Sequence, residues 1–212
     1  MHIAEGVLSA PVLAGGVVLA AAGVGLGLRK MDQEQIPRVA VLSAAFFVAS
    51  LIHLPLGPTS VHLILNGLMG IILGWAVFPA LAVALFLQAI LFGFGGLTSL
   101  GVNITVMATP AVLVYFLFGR AVKGSGAGNA FGLGCGAGVS AIAGSCLLLA
   151  TSLYLTSGDF MGVIKLALAA HLPVMAIEGL ITGAVVVFLR RVRPEVLAGS
   201  PTVSQDRGGL LA

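Results

Sequence analysis

The chain opens Met1-His2-Ile3-Ala4-Glu5-Gly6. A histidine at position 2 has a chemical opportunity that a histidine elsewhere lacks. The free amine of Met1, the main-chain nitrogen of His2 and the His2 imidazole lie close enough along the chain to close small chelate rings on one metal ion. Three nitrogens in one plane, completed by a donor from elsewhere, suit a tetragonal site of the Ni(II) or Cu(II) kind. The plain alternative is an ordinary flexible terminal residue. The chelate needs a free Met1 amine, and the sequence is compatible with one. The start lacks the positive region of a cleavable signal peptide, and a Met followed by a residue as large as His is expected to be retained.

Other residues invite chemistry less directly. His62 follows Thr59-Ser60-Val61 and reads either as a functional group or as a histidine hydrogen-bonded to a neighbouring backbone group or amide. His53 falls at a membrane boundary, where a histidine is unremarkable. His171 precedes Leu172-Pro173, and Glu178 comes two helical turns later, near the same face. The pair forms part of a polar path or a buried hydrogen-bonded network, because a carboxylate inside a membrane is costly unless paired or protonated. No His-Glu-x-x-His, Gly-x-Ser-x-Gly, Cys-x-x-Cys or Gly-x-x-x-x-Gly-Lys pattern occurs, so this chain is not expected to hydrolyse ATP itself. Cys135 and Cys146 are separated by roughly 16 Å of helix, beyond disulfide reach, and read as small packing residues.

The elements that carry these groups are membrane helices. Hydrophobic residues make up 59% of the chain and charged residues 8%, against about 25% charged in soluble domains. Long apolar runs argue for helices over a barrel, and 30 glycines suggest helices that approach closely. The net charge of +3 comes from clusters at span ends and forms no nucleic-acid patch.

About seven spans are expected. They run from about Pro11 to Leu28, Pro37 to His53, Ser60 to Val77, Pro79 to Phe92, Val102 to Gly119, Ala130 to Leu155 and Phe160 to Leu189. A turn-rich hairpin covers 53–60. The glycine-rich stretch Gly93–Gly101 reads as a re-entrant-like loop, tolerated at membrane depth only where protein surrounds it. Residues 1–193 form one integral membrane domain, with 1–8 as its N-terminal segment, and 194–212 a short flexible cytoplasmic tail. Basic clusters at 29–38, 120–123 and 190–193 place those ends in the cytoplasm. With seven spans the N-terminus then lies outside and the C-terminus inside, and Met1, His2, His53, His62 and the 93–101 loop share the outer face.

With these residues in view, the chain resembles the CbiM/NikM family, substrate-capture (S) components of energy-coupling-factor ABC transporters for cobalt and nickel. The resemblance rests on Met1-His2-Ile3-Ala4-Glu5-Gly6, Thr59-Ser60-Val61-His62, the run Gln88 to Thr98, Leu100-Gly101-Val102-Asn103, Met107, His171-Leu172-Pro173 and Glu178-Gly179, and spans roughly residues 1 to 192. It implies a square-planar metal site made by the Met1 amine, the His2 main-chain nitrogen, the His2 imidazole and His62. It places Asn103 and the loop residues Gly95, Gly96 and Thr98 near that site as supporting groups. Some relatives carry a histidine where this chain has Phe94, so no ligand is assigned there.

The resemblance further implies a prokaryotic inner-membrane protein, with the glycine-rich loop closing over the captured ion. Its partners would be a transmembrane coupling (T) subunit, cytoplasmic ATPase subunits and a small two-span accessory subunit, the last not fused to this chain. No cofactor is expected beyond the transported Co²⁺ or Ni²⁺, with cobalt favoured and a link to cobalamin biosynthesis. Two rival readings remain. A stand-alone channel or secondary transporter would move metal without ATPase partners. A membrane enzyme would need an acid or base beside the metal, and only Glu5 is placed for that; it reads instead as shaping the N-terminal turn.

Overall fold

The computed structural model describes residues 1–198. The described chain contains eight α-helices and one two-stranded β-hairpin. Helix α1 (Ala10–Lys30) begins with Pro11 in its first turn and ends in Arg29 and Lys30, where cations complement the helix dipole. Its buried positions Gly16, Ala20, Gly23 and Gly27 form one stripe. A Cβ at Gly16 would meet the Val102 backbone at 2.8 Å, and one at Gly27 would lie 2.6 Å from the Trp75 carbonyl. The small face is therefore used for packing within the chain, while Val17, Val18 and Leu19 face outward.

Helix α2 (Ile36–Ala49) stops well short of His53. Strands β1 (His53–Leu56) and β2 (Thr59–His62) follow as an antiparallel hairpin that pairs His53 with His62 and Leu56 with Thr59. The two-residue turn between them is Gly57-Pro58. Gly57 takes φ +61°, the first position of a II′ turn, and the fixed negative φ of Pro58 fits the second. The hairpin expected over 53–60 is thus a β-hairpin, and two expected spans change with it. Span two ends earlier, and span three does not start at Ser60. Its helix, α3 (Asn66–Leu73), has only eight residues, and His62 closes a strand instead of lying one turn inside a helix. The physical reason is local: Pro55, Pro58 and β-branched Thr59 and Val61 favour extended backbone.

Helices α4 (Val77–Phe92), α5 (Leu100–Gly124), α6 (Ala127–Thr156) and α7 (Met161–Val192) complete the body. Five described stretches are long and apolar enough to cross a membrane: 10–30, 66–92, 100–124, 128–156 and 158–192. The expected seven helices stand as α1–α7; α2 and α3 are too short to be counted alone, and α3 is counted together with α4. The 66–92 stretch is bent back at Gly74, whose φ is +54°. Its Trp75 meets Lys30 at 5.0 Å, while Gln88 returns to touch His2, so α3 and α4 are two arms of one hairpin.

The loop 93–99 joins α4 to α5, and Gly93, Gly95 and Gly96 all take positive φ. Helix α7 continues through Pro173. Cys146 is buried and Cys135 half-buried, both free. A short helix α8 (Pro194–Ala198) with buried Leu197 stands where the sequence suggests the tail begins. The remainder of that expected tail, 199–212, lies outside the described residues.

Candidate metal site

The N-terminal residues dock as a third strand on the hairpin. Ile3 bridges Thr59, the Ala4 amide donates to the Pro58 carbonyl at 2.9 Å, and the Ser60 amide to the His2 carbonyl at 3.2 Å. The opposite side is clamped by α5. Asn103 accepts from the Ile3 amide at 2.8 Å and donates to its carbonyl at 3.2 Å, and the Ser99 hydroxyl donates to the same carbonyl at 2.9 Å. An apolar Met1 and Ile3 complete the anchoring, both 0% exposed. A chain end ordinarily frays; this one is buried by seating two side chains in the core and pairing its backbone on both sides.

The glycine loop covers the segment. A Cβ at Gly95 would lie 2.6 Å from Asn103 Nδ2 and 3.5 Å from His2 Cβ, and one at Gly96 would press on the Glu5 side chain, 2.6 Å from its Cβ. Glu5 Oε2 accepts from the Leu97 amide at 3.2 Å, so the carboxylate ties loop to N-terminal turn. Gly95, Gly96 and Asn103 thus all touch the N-terminal segment. Thr98 is exposed, and the hydroxyl that reaches inward is that of Ser99.

His2 and His62 face each other with ring centroids 4.6 Å apart. Hydrogen bonds define which ring nitrogens are free. Gln88 Nε2 donates to the Phe47 carbonyl at 3.2 Å and to Ser50 Oγ. Its Oε1 is thereby turned to His2 Nε2 at 2.9 Å, which must donate, so the Nδ1 lone pair of His2 is free. His62 Nδ1 donates to the Leu63 carbonyl at 2.8 Å, and its buried Nε2 has no partner within the protein. The free Nδ1 of His2 is the ring nitrogen that closes a six-membered ring with the residue's own main-chain nitrogen. Gln88 is the residue that sequence reasoning left without a role; its signals are a polar side chain in an apolar helix and its place at the start of the run Gln88 to Thr98.

Burial lowers the Met1 amine well below its usual pKa of 8.0. It also takes His2 from 6.5 to about 3, with the nearby amine charge adding to the effect. His62 falls well below 6.5 for the same reasons, burial first and then the charges of the amine and His2. Burial thus biases all three groups toward the unprotonated form that metal-binding nitrogens require. A cavity of about 150 Å³ opens beside His2, lined among others by His53, Ser60, Phe94 and Gly95. The His53 and Phe94 rings stand 4.1 Å apart at its mouth. Among the described residues no three His, Cys, Asp or Glu side chains gather as a metal cluster. A nitrogen site here must therefore draw on the main chain.

His171 and Glu178 lie within electrostatic reach of this group, Glu178 of the Met1 amine and His171 of His62. Both are 0% exposed on α7. Glu178 Oε1 accepts from the Ile64 and Leu65 amides at 2.5 and 2.8 Å, in the segment that follows His62.

A family model described as the cobalt uptake substrate-specific transmembrane region matches residues 2–196. The chain belongs to the CbiM family. It is 46% identical over 199 residues to a Haemophilus influenzae protein named for metal transport, covering 93% of this chain and 97% of that one. It is 33% identical over 228 residues to the fused nickel transport protein NikMN of Rhodobacter capsulatus, covering 93% of this chain and 64% of the fused protein. A crystal structure of a transition metal transporter aligns at a TM-score of 0.70 and 28% identity, over 91% of this chain and 93% of that one. As a CbiM-family member the chain is a membrane component of cobalt or nickel uptake.

Proposed function

We propose that this chain captures Co²⁺ from the outer face of the inner membrane as the substrate-specific subunit of an ATP-driven transporter. Ni²⁺ is accepted by the same donors, because both ions take nitrogen ligands. The ligands are the Met1 amine, the His2 main-chain nitrogen, His2 Nδ1 and His62 Nε2. The observation that carries this reading is the docked N-terminus: Met1, His2 and His62 lie together at 0%, 4% and 3% exposure, with one unengaged lone pair on each imidazole. The reading requires a mature chain that begins at Met1.

Coordination replaces the His2 amide proton by the metal. That amide now donates to Ser60 Oγ at 3.4 Å, a weak contact that the metal would replace. Gln88 holds the His2 tautomer and the Leu63 carbonyl holds that of His62, the usual way outer groups orient metal-binding histidines. Asn103, Ser99 and the glycine loop keep the terminus docked and exclude water. A transmembrane coupling subunit, cytoplasmic ATPase subunits and a small two-span subunit supply energy and complete the transporter; the fused nickel relative supports assembly with further components. No cofactor beyond the transported ion is needed.

His62→Ala removes the one ligand that is remote in sequence. Equilibrium dialysis with Co²⁺ is expected to show binding weakened about 100-fold or more, beyond the 10–100-fold typical of losing an outer group. A change below fivefold would remove His62 from the ligand set.

A further inference from the structure

His53 lines the capture cavity yet has no part in the four-nitrogen site. It opens strand β1 and pairs in register with His62, which closes β2. Side chains paired directly across an antiparallel ladder project from the same face, with Cβ atoms about 4.5–5.5 Å apart. The hairpin therefore sets one imidazole beside another, at different depths. His62 is 3% exposed and His2 4%, whereas His53 is half-buried. The cavity of about 150 Å³ joins the two levels, because His2 and His53 both line it, together with Phe94 and Gly95.

The His53 ring is held in place with one nitrogen to spare. Its Nδ1 donates to the Leu51 carbonyl at 3.2 Å, which leaves the lone pair on Nε2. It meets the Phe94 ring at 4.1 Å with the planes inclined by 63°. Phe94 in turn leans on Phe92 at 5.4 Å and stands 6.1 Å from His2. Among the described residues, neither His62 Nε2 nor His53 Nε2 has a hydrogen-bond partner; the first is sealed from solvent and the second is not.

A hydrated cation cannot reach two nearly sealed histidines with its whole water shell. Shedding water before a nitrogen replaces it is costly for an ion entering protein. We propose that His53 is the landing ligand of the capture site, its Nε2 replacing the first water of an arriving Co²⁺ or Ni²⁺ at the cavity mouth. One metal–water bond breaks as the Nε2–metal bond forms, and that bond breaks in turn as His2 and His62 take the ion. The inference rests on the capture reading above. Imidazole suits both ions, and one lone nitrogen holds them far less tightly than a chelate. The step is thus favourable enough to enter and weak enough to leave. A landing ligand lies on the path in both directions, so it speeds entry and release alike and leaves the affinity unchanged.

The test mixes Ni²⁺ alone with the detergent-solubilised protein, native at its N-terminus, in a stopped-flow instrument. Absorbance of the nitrogen-bound ion reports entry, and mixing the loaded protein with excess chelator reports release. His53→Ala removes the ring, and His53→Phe keeps a ring to pack on Phe94 but has no lone pair. Both variants are expected to take up and release Ni²⁺ at least tenfold more slowly, within the one to three decades that single changes move an association rate, with Kd within threefold of wild type. Entry within twofold of wild type in both variants would overturn the landing ligand. So would wild-type rates in H53F alone, since ring packing would then be the whole role of His53. Faster release with weakened affinity would overturn it too, because that is how a loosened hairpin behaves. Failure of the wild-type chain to bind Ni²⁺ at all would defeat the capture reading itself, so the two fail separately.

Discussion

Gln88→Leu isolates one consequence of the site's geometry without touching a ligand. The Gln88 amide is oriented by two acceptors at the end of α2, the Phe47 carbonyl and Oγ of the capping Ser50, and its oxygen holds a proton on His2 Nε2 at 2.9 Å. Leucine removes that acceptor in a pocket where the residue is 0% exposed. A buried donor left unsatisfied costs about 1–3 kcal/mol, and the ring can escape the cost by moving its proton to Nδ1, where it blocks the metal. At about 1.4 kcal/mol per factor of ten, Co²⁺ or Ni²⁺ affinity is expected to fall about 10–100-fold. Isothermal titration of the detergent-solubilised protein, with its native N-terminus, measures this directly. A thermal melt without metal separates the effect from loosening of α2 against α4. Unchanged affinity would refute coordination through His2 Nδ1.

Two further outcomes follow from the same frame. Affinity is expected to fall with pH by about tenfold per unit for the His2 amide proton that binding releases. Burial lowers the docked Met1 amine, His2 and His62, so the undocked segment binds protons that the docked one refuses, on the amine below its usual 8.0 and on the histidines below 6.5. Docking then weakens by about 1.4 kcal/mol per unit for each such group, for His2 down to its docked pKa of about 3. Titrations at several pH values check this, and a slope that fails to steepen as pH falls through 8 and then 6.5 would contradict a terminus that docks with its nitrogens unprotonated. Among the loop glycines, Gly96→Ala is expected to weaken binding more than tenfold, because φ is +95° and its Cβ would press on Glu5. Gly93→Ala, with φ +69° and open space around it, is expected to stay within about fivefold; equal effects would show that loop contact with the N-terminal turn is irrelevant.

The long apolar spans and their order were readable because hydrophobic length is a direct signal of membrane crossing. The shape of residues 50–66 was not. An apolar run does not say where a helix stops, and Leu65, in the left-handed region at φ +56°, carries no residue-type warning. Met1 and His2 stood out because adjacency in sequence is itself chelate geometry. Gln88, Ser60 and Ser99 act through contacts with residues 38 to 96 positions away, which no local pattern encodes. Thr98 and Ser99 show the finest limit: in a tight turn neighbouring hydroxyls point apart, and sequence alone could not choose between them.

The central claim is that the Met1 amine is a metal ligand. One added residue ahead of Met1 converts that amine to an amide, at a terminus buried at 0% exposure. Co²⁺ binding should be measured for the native and the extended protein side by side, with intact mass confirming each N-terminus. Stoichiometric binding by the native chain and none by the extended chain is expected; equal affinity in the two would contradict the chelate.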